Sequence, residues 1–526
     1  MAKIEIKQNL VKGRSRKKKV VDSSAVDDDI MAMLEMQEEN ENKIEKKTKR
    51  IQISTLDQAC RIGDLQVVIK YLNIFNLNRI SESGGHPLFG ASYGNHIHIV
   101  KYLLDQKHIL INRGSVYGDT ALSIAADQGH LEVTKLLLES GADPNLSHNK
   151  SKTTPLMYAC GSDRVSCIKE LLKHSDTEIN VIDDSKSTAL MYACHRGNRA
   201  SVHQLLKRKD IDLDLVNDEG YTASSMCCRL NEMHILKDLI DAGANINQSS
   251  SATNLFIAIQ LGHLEIVDLL LSNVNINVNL ANKNNEGATP LFIATEKGYF
   301  NIVERLIILG ADVNKVRAND NAPPLTIACD KNWTEITMLL LSAGADVNIY
   351  QKSGYSPLMA AIKSENLKIT QKLLMRGANY FTDDNLEHGV VSPFAFAIKN
   401  NKINAVKVLL QSGVDVNDEI AYHSLIILEE LSEQNKYKWK NDRNCQEVRG
   451  KCLHSVWRES EGSAKSGMYL SATPIWFASL WGFAEMVHLF LRNGATMYSR
   501  EKKTLISAAE IAAARHNDVI FGINTE

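Results

Sequence analysis

Proline is scarce in this chain, nine in 526 residues, and glycine numbers only 29. So small a supply of the residues that punctuate linkers argues against a string of separate domains, whatever the length would allow. An excess of one charge is missing too: 60 lysines and arginines face 62 aspartates and glutamates. That balance leaves no global field to draw nucleic acid or an anionic membrane. No uncharged apolar run approaches the ~18 residues of a bilayer span, and the amino terminus lacks an apolar stretch of signal-peptide type. Nine cysteines, at 60, 160, 167, 194, 227, 228, 329, 445 and 452, make an odd set without close pairing. A reducing compartment fits that set better than a disulfide framework. The expectation is a soluble protein of the cytoplasm or nucleus, with no membrane insertion.

Repetition is what the chain has instead. Residues 152–160 read Lys-Thr-Thr-Pro-Leu-Met-Tyr-Ala-Cys and residues 186–194 read Lys-Ser-Thr-Ala-Leu-Met-Tyr-Ala-Cys, 34 residues on. The period continues through Thr120-Ala121-Leu122, Thr222-Ala223-Ser224, Thr253-Asn254-Leu255, Thr289-Pro290-Leu291, Pro323-Pro324-Leu325, Ser356-Pro357-Leu358 and Ser392-Pro393-Phe394, then skips to Thr473-Pro474-Ile475. Seven of the nine prolines (87, 155, 290, 324, 357, 393 and 474) share one slot. Thr or Ser followed by proline suits a helix start, where the hydroxyl caps free N–H groups and proline's missing N–H costs nothing. A Gly-His-like break follows, as in Gly129-His130, Gly262-His263 and Gly298-Tyr299, and then a second apolar-periodic helix. That helix stops at a glycine, as in Gly141-Ala142-Asp143, Gly243-Ala244-Asn245, Gly310-Ala311-Asp312, Gly344-Ala345-Asp346 and Gly377-Ala378-Asn379, where a left-handed cap is expected.

These units resemble the ankyrin repeat, about 33 residues of turn plus two antiparallel helices opening on Thr-Pro-Leu-His-x-Ala. The resemblance covers about 51–417 and again 471–523, some twelve to thirteen units. It implies an all-α solenoid of helix-turn-helix repeats joined by hairpin turns. Departures stand at the usual His, here Met157, Met191, Phe256, Phe292 or Thr326, and at Ser224, where leucine is usual. Cys60, Cys160, Cys194, Cys228 and Cys329 fall in the slot held elsewhere by Ala126. By resemblance that slot packs on the neighbouring repeat and admits small groups alone, so these cysteines read as small apolar residues.

The resemblance further implies that the next two slots line a concave binding face. They read Arg61-Ile62, Tyr93, Asp127-Gln128, His195-Arg196, Arg229-Leu230, Gln260-Leu261, Glu296-Lys297, Asp330-Lys331, Lys363, Lys399 and Leu480-Trp481. As candidate partner contacts we single out Arg61, Tyr93, Gln128, Arg196, Arg229, Leu230, Leu261, Lys297, Lys331, Leu480 and Trp481. Arg and large aromatic side chains concentrate binding energy, and leucine or tryptophan in slots that are normally polar favours a protein ligand over simple solvation. The pattern of leucine eight residues before Asp-Val-Asn, at Leu306–Asn314, Leu340–Asn348 and Leu409–Asn417, is the one seen where asparaginyl hydroxylases modify such repeats. The alternative is that asparagine is simply the hairpin residue.

Outside the repeats, 1–50 is a tail expected to be disordered over 1–28, with a short amphipathic helix from about 29 to 48. Its basic run Lys12, Arg14, Arg16, Lys17, Lys18 and Lys19 reads as a nuclear-import peptide, a polyanion contact or a solvated tail. Residues 418–470 read as a degenerate repeat, beginning near Tyr422, interrupted by a polar loop over 433–468. Cys445, Cys452 and His454 have the wrong spacing for a zinc finger. The last segment, 471–526, supplies one further repeat and a capping unit. No phosphate-binding glycine loop, His-Glu-x-x-His, Gly-x-Ser-x-Gly or paired Cys-x-x-Cys is present in the sequence. The chain therefore reads as a monomeric, non-enzymatic scaffold or adaptor for protein partners, without cofactor or metal, or alternatively as the substrate-recruiting or targeting subunit of an enzyme complex. Nucleic acid enters only through the basic tail.

Overall fold

The computed structural model describes residues 56–72, 77–82, 84–248, 252–282, 286–380, 392–417, 420–423, 469–496, 507–508 and 510–511. The tail 1–50 with its basic run and expected helix, the loop 433–468 with Cys445, Cys452 and His454, and nearly all of the expected cap lie outside them. Among the described residues the fold is a solenoid of twelve helix pairs. It divides into two compact units, one closing at Asp184 and one opening at Ser185.

The first unit holds helical residues 56–62 with Leu65–Leu72, then Pro87–Tyr93 with Ile97–Leu104, Ala121–Gln128 with Leu131–Glu139, and Pro155–Gly161 with Val165–Lys173. The second holds Ala189–His195 with Arg199–Leu205, Ala223–Leu230 with Met233–Asp241, Asn254–Leu261 with Leu264–Leu271, Pro290–Lys297 with Phe300–Ile308, Pro324–Asp330 with Thr334–Ser342, Pro357–Lys363 with Leu367–Met375, Pro393–Lys399 with Ile403–Gln411, and Pro474–Trp481 with Ala484–Arg492.

Helix starts follow the cap chemistry. Thr120 Oγ1 accepts from the Ser123 N–H at 3.0 Å, Thr289 from Phe292 at 3.1 Å and Ser392 Oγ from Ala395 at 3.1 Å. Pro323 offers no cap hydroxyl, and proline at the next position supplies the helical φ instead. Seven of the second helices stop where a glycine turns left-handed, at φ 87° for Gly141, 84° for Gly310 and 97° for Gly413 among them, whereas Ile97–Leu104, Val165–Lys173, Arg199–Leu205 and Leu264–Leu271 end without one.

Within each unit, first helix packs on first helix and second on second. The expected small slot is closed: Cys60, Cys160, Cys194, Cys228, Cys329 and Ala126 are all fully buried. Burial, with the nearby Asp330 charge adding to it against a Thr337 hydrogen bond, pushes the Cys329 thiol up to about 12, so it stays protonated and behaves as a small apolar group.

Asparagines join one hairpin turn to the next. Asn279 donates from Nδ2 to the Gly310 carbonyl at 3.0 Å and accepts the Asp312 N–H at 2.8 Å. Asn348 repeats this on Gly377 and Asn379, and Asn145 does it on Asp176 and Glu178 in the first unit. One amide thus pairs two backbone groups that the hairpin cannot satisfy internally.

Near the carboxyl end the structure differs from the helical reading. Ile420–His423 runs as a strand paired antiparallel with Tyr469–Ala472, from Ile420 opposite Ala472 to His423 opposite Tyr469. The ladder delivers the chain to Thr473, and Pro474–Trp481 then packs directly on Pro393–Lys399. Ser507 opens a further helical turn with a capping box: its N–H donates to Glu510 Oε2 at 2.7 Å while its Oγ accepts the Glu510 N–H at 3.2 Å.

Candidate interaction face

The slots after the small residue lie at the carboxyl ends of the first helices, where the helix has turned them away from the buried cysteine or alanine. In the first unit they are tied down, apart from the exposed Ile62. The Arg61 guanidinium stands 5.0 Å from the Tyr93 ring centroid and 3.9 Å from the buried Asp57 carboxylate. Asp127 accepts from Gln128 Nε2 at 2.8 Å and from Ser162 Oγ at 2.6 Å, while its carbonyl accepts from Arg164 Nε at 2.8 Å. Nearby, the Tyr158 hydroxyl donates to Asp119 at 2.7 Å, and burial followed by that bond moves the phenol well above its usual range. Tyr158 is therefore a fixed donor.

In the second unit the slots are mostly open. His195 and Arg196 are exposed, and Arg229 lies over the Tyr221 ring at 5.2 Å while reaching Glu219 at 3.3 Å. Leu230 is 40% exposed and Leu261 49%, although both end helices whose other faces are core. Lys297 and Lys331 are exposed and form no ion pair among the described residues. Asp330 is already engaged, accepting from Lys363 Nζ at 2.8 Å and from the Tyr355 hydroxyl at 3.1 Å.

Leu480 corrects the expectation. It is 0% exposed, because Pro474–Trp481 is apolar nearly all round and every residue from Pro474 to Leu480 is buried. Trp481 beside it is half-buried, stacked on Phe477 at 5.5 Å with 22° between the rings and tilted against Phe483 at 6.2 Å. This pair is chiefly packing.

A model built from ankyrin repeats (3 copies) matches residues 56–148, 146–217, 201–282, 225–317 and 314–384, more than half of the sequence. The chain belongs to the ankyrin-repeat family. Among similar proteins, the serine/threonine-protein kinase TNNI3K of Mus musculus is 31% identical over 131 residues, 23% of this chain and 16% of that protein. Ankyrin repeat and SOCS box protein 3 of Bos taurus is 35% identical over 106 residues, 20% of each chain. The putative E3 ubiquitin-protein ligase XBAT31 of Arabidopsis thaliana is 33% identical over 87 residues, 16% of this chain and 19% of that one. The chain thus spans about a fifth of the length of these curated relatives.

The departures from the ankyrin pattern are absorbed by packing. Met157, Met191, Phe256 and Phe292 fill the core, and Arg317 lies 4.8 Å over the Phe292 ring. Ser224 is buried and accepts from the buried Asn254 Nδ2 of the next repeat at 2.9 Å, which gives its hydroxyl a partner. Thr326 is the exception, with a buried hydroxyl that has no hydrogen-bond partner. Asn314 bonds the next hairpin through both amide atoms, to Asp346 and Gly344, and that structural duty accounts for an asparagine there.

The sequence reading passed over the residue that opens each second helix. In the first unit this slot is basic: His130 Nε2 lies 3.0 Å from the Tyr93 carbonyl, and Arg164 bonds the Asp127 carbonyl. In the second it is mixed, Asn198, Glu232, His263, Asn366 and Lys402 in five repeats, but aromatic at Tyr299, Trp333 and Phe483. The Tyr299 hydroxyl lies 2.9 Å from where a β-carbon would stand on Gly262, and Trp333 Cζ2 lies 2.7 Å from the same point on Gly298. Trp333 is 40% exposed, and Leu264 and Phe300, the first residues of their helices, are exposed as well. The signal was available in the Gly-x slot at Gly298-Tyr299, but at Asn332-Trp333 an asparagine with φ 61° takes the place of glycine and hides it.

No helix among the described residues is long and apolar enough to cross a membrane.

Proposed function

We propose that this chain is a non-enzymatic interaction scaffold that holds protein partners on the concave face formed by its first helices. Ankyrin repeats are protein-binding modules as a family, and the observation that carries the reading here is the set of large side chains left open in the second unit, Leu230, Leu261 and Trp333. Side chains of this size placed in solvent by well-packed helices give an interface anchors that need no ordering on binding. Photo-crosslinking residues installed at Tyr93, Leu261 and Trp481 in cells test it. Discrete protein adducts are expected, strongest at Leu261; an absence of adducts at all three positions rejects the reading.

A second reading makes the chain the substrate-recruiting or targeting subunit of an enzyme complex. It draws support from relatives whose names include an E3 ubiquitin-protein ligase or a kinase. Affinity purification separates the two: recurrent recovery of a catalytic subunit, lost on deleting 1–50 or 433–468, selects the recruiting role, and recovery of non-catalytic partners alone selects the scaffold. Location in the cytoplasm or the nucleus turns on the basic run. Alanine at Arg14, Arg16, Lys17, Lys18 and Lys19 is expected to shift the protein towards the cytoplasm, and an unchanged distribution removes the import role.

A further inference from the structure

We infer that the strip Leu230–Leu261–Leu264–Phe300–Trp333, rimmed by Lys297 and Lys331, is a docking site for an acidic protein segment that carries large apolar side chains. This inference rests on the protein-binding reading above and gives it a place and a chemistry.

The strip is continuous by construction. Leu230, Leu261 and Lys297 close three successive first helices that pack on one another, and Pro324–Asp330 packs against the last of these. The step between neighbouring helices would leave a notch at each C-terminal glycine. Tyr299 fills the notch at Gly262 and Trp333 the one at Gly298, the Tyr299 hydroxyl and the Trp333 ring lying closer than a β-carbon would allow. Leu264 and Phe300 then carry the apolar surface onto the second helices.

Charge decides the class of partner. Three carboxylates on the face are already answered, Glu219 by Arg229, Asp330 by Lys363 and Tyr355, and half-buried Glu296 by facing Arg317, while half-buried Glu232 packs into the notch at Gly197 in the preceding repeat. Lys297 and Lys331 have no such answer among the described residues; Lys331 comes two residues before Trp333, and Lys297 adjoins Gly298, whose notch Trp333 fills. Glu265 and Glu335 are exposed, but they come one residue after Leu264 and Thr334 and so about 100° further round their helices. An arriving carboxylate therefore meets uncompensated cations beside an apolar surface, whereas a basic segment meets repulsion.

Size is set by the repeat. With neighbouring helices ~8–10 Å apart, the distance from the Leu230 helix to Trp333 is roughly 30 Å, which about nine extended residues at ~3.3 Å each can cover.

A display library of random 12-residue peptides, selected against the full chain, tests this without knowledge of the natural partner. Enriched peptides are expected to be net acidic with at least two large apolar residues. Their binding should weaken about tenfold or more in Leu261→Ala/Trp333→Ala and in Lys297→Glu/Lys331→Glu, and stay near wild type in Lys297→Arg/Lys331→Arg. Far-ultraviolet circular dichroism and thermal unfolding check that each variant is folded, and the lysine pair, being exposed, keeps the test alive if the Trp333 variant is not.

Basic or charge-indifferent peptides overturn the inference. So do acidic peptides that are indifferent to both variants but displaced by Arg61→Glu, a result that leaves the general protein-binding reading standing. No enrichment over an unrelated control protein rejects both. Flotation with phosphatidylserine vesicles that depends on Lys297 and Lys331, or a dimer in light scattering that Leu261→Ala/Trp333→Ala dissociates, also overturns the inference by assigning the strip to a membrane or to a second copy.

Discussion

In residues 56–184 the slots that follow the small residue hold Arg61, Tyr93, Asp127 and Gln128, each held by a neighbour, with Ile62 alone among them left open at 67% exposure. In the second unit the same slots hold Leu230, Leu261, Lys297 and Lys331, exposed and without such partners. The backbone frame is the same in both. What differs is how much interaction each face keeps for itself. A side chain already in a cation–π stack or a hydrogen-bond network has to surrender that contact before meeting a partner, whereas an exposed leucine or lysine gives up only water. Two faces built from the same repeat are thereby unequal as binding surfaces.

The most severe way to break the comparison is to remove the frame from beneath the open face. Phe292 is almost fully buried under Arg317, three residues from Thr295 in the small slot of its helix. Phe292→Ala is expected to cost about 3–5 kcal/mol, lost transfer energy plus the cavity left behind. Urea unfolding followed by tryptophan fluorescence reads it through Trp333, one repeat away. A loss below about 1 kcal/mol would mean that the repeats in this unit do not support one another as nearest neighbours.

Two glycines sharpen the comparison next. Gly298 and Gly310 both have positive φ, 77° and 84°, but a β-carbon on Gly298 meets Trp333 whereas nothing lies within 4 Å of one on Gly310. Gly310→Ala is expected to cost about 1 kcal/mol, the left-handed penalty alone, and Gly298→Ala about 2–3 kcal/mol, because the ring must also move. Equal costs would show that Trp333 does not rest in that notch, and the apolar strip would lose its continuity.

The frame was legible in the sequence because its signals are local. Thr or Ser before proline writes a cap, glycine writes a left-handed stop, and both act within one helical turn of themselves. The face was legible only as a set of slots. Which side chains there are free depends on neighbours one repeat away: nothing near Arg61 in sequence announces Tyr93, and nothing near Gly298 announces Trp333. Leu480 was misjudged for a related reason, since the slot is open elsewhere and closes here only because the whole of Pro474–Trp481 is apolar. The ladder of Ile420–His423 with Tyr469–Ala472 was invisible, because its pairing spans an excursion without the period that carried every other assignment.

A smaller contrast tests the tied and open slots directly. Arg61→Ala is expected to destabilise by about 0.5–1 kcal/mol through loss of the Tyr93 stack, and Leu261→Ala to stay within about 0.5 kcal/mol of wild type, as an exposed residue should. The binding consequence is expected to run the other way, with Leu261→Ala the more damaging. Should Leu261→Ala prove the costlier for stability, leucine in that slot belongs to the core and the open face is misdescribed.

The smallest expected effect lies on the second helices, where Asp238 joins Arg199, at 2.6 and 2.9 Å, and His203, at 2.7 Å, across one repeat junction of the second unit. The Arg199 hydrogen bond, with His203 and the two charges adding to it, holds the Asp238 carboxyl below its ordinary value of 3.8. A depressed carboxylate binds its proton less readily folded than unfolded, so its contribution is complete above about pH 4 and fades as acid titrates the folded form. Both partners are about half exposed, and water screens the pair, so Asp238→Asn should cost only about 0.5 kcal/mol at pH 5–7. In urea titrations at stepped pH the wild-type and variant curves should draw together below pH 4. A gap that widens there instead would mean that the folded carboxyl holds its proton more tightly than the unfolded one, reversing the sense of the clamp. Because this clamp ties one second helix to the next, its loss should leave the Leu230–Trp333 strip intact, and peptide affinity measured on Asp238→Asn at neutral pH should match wild type.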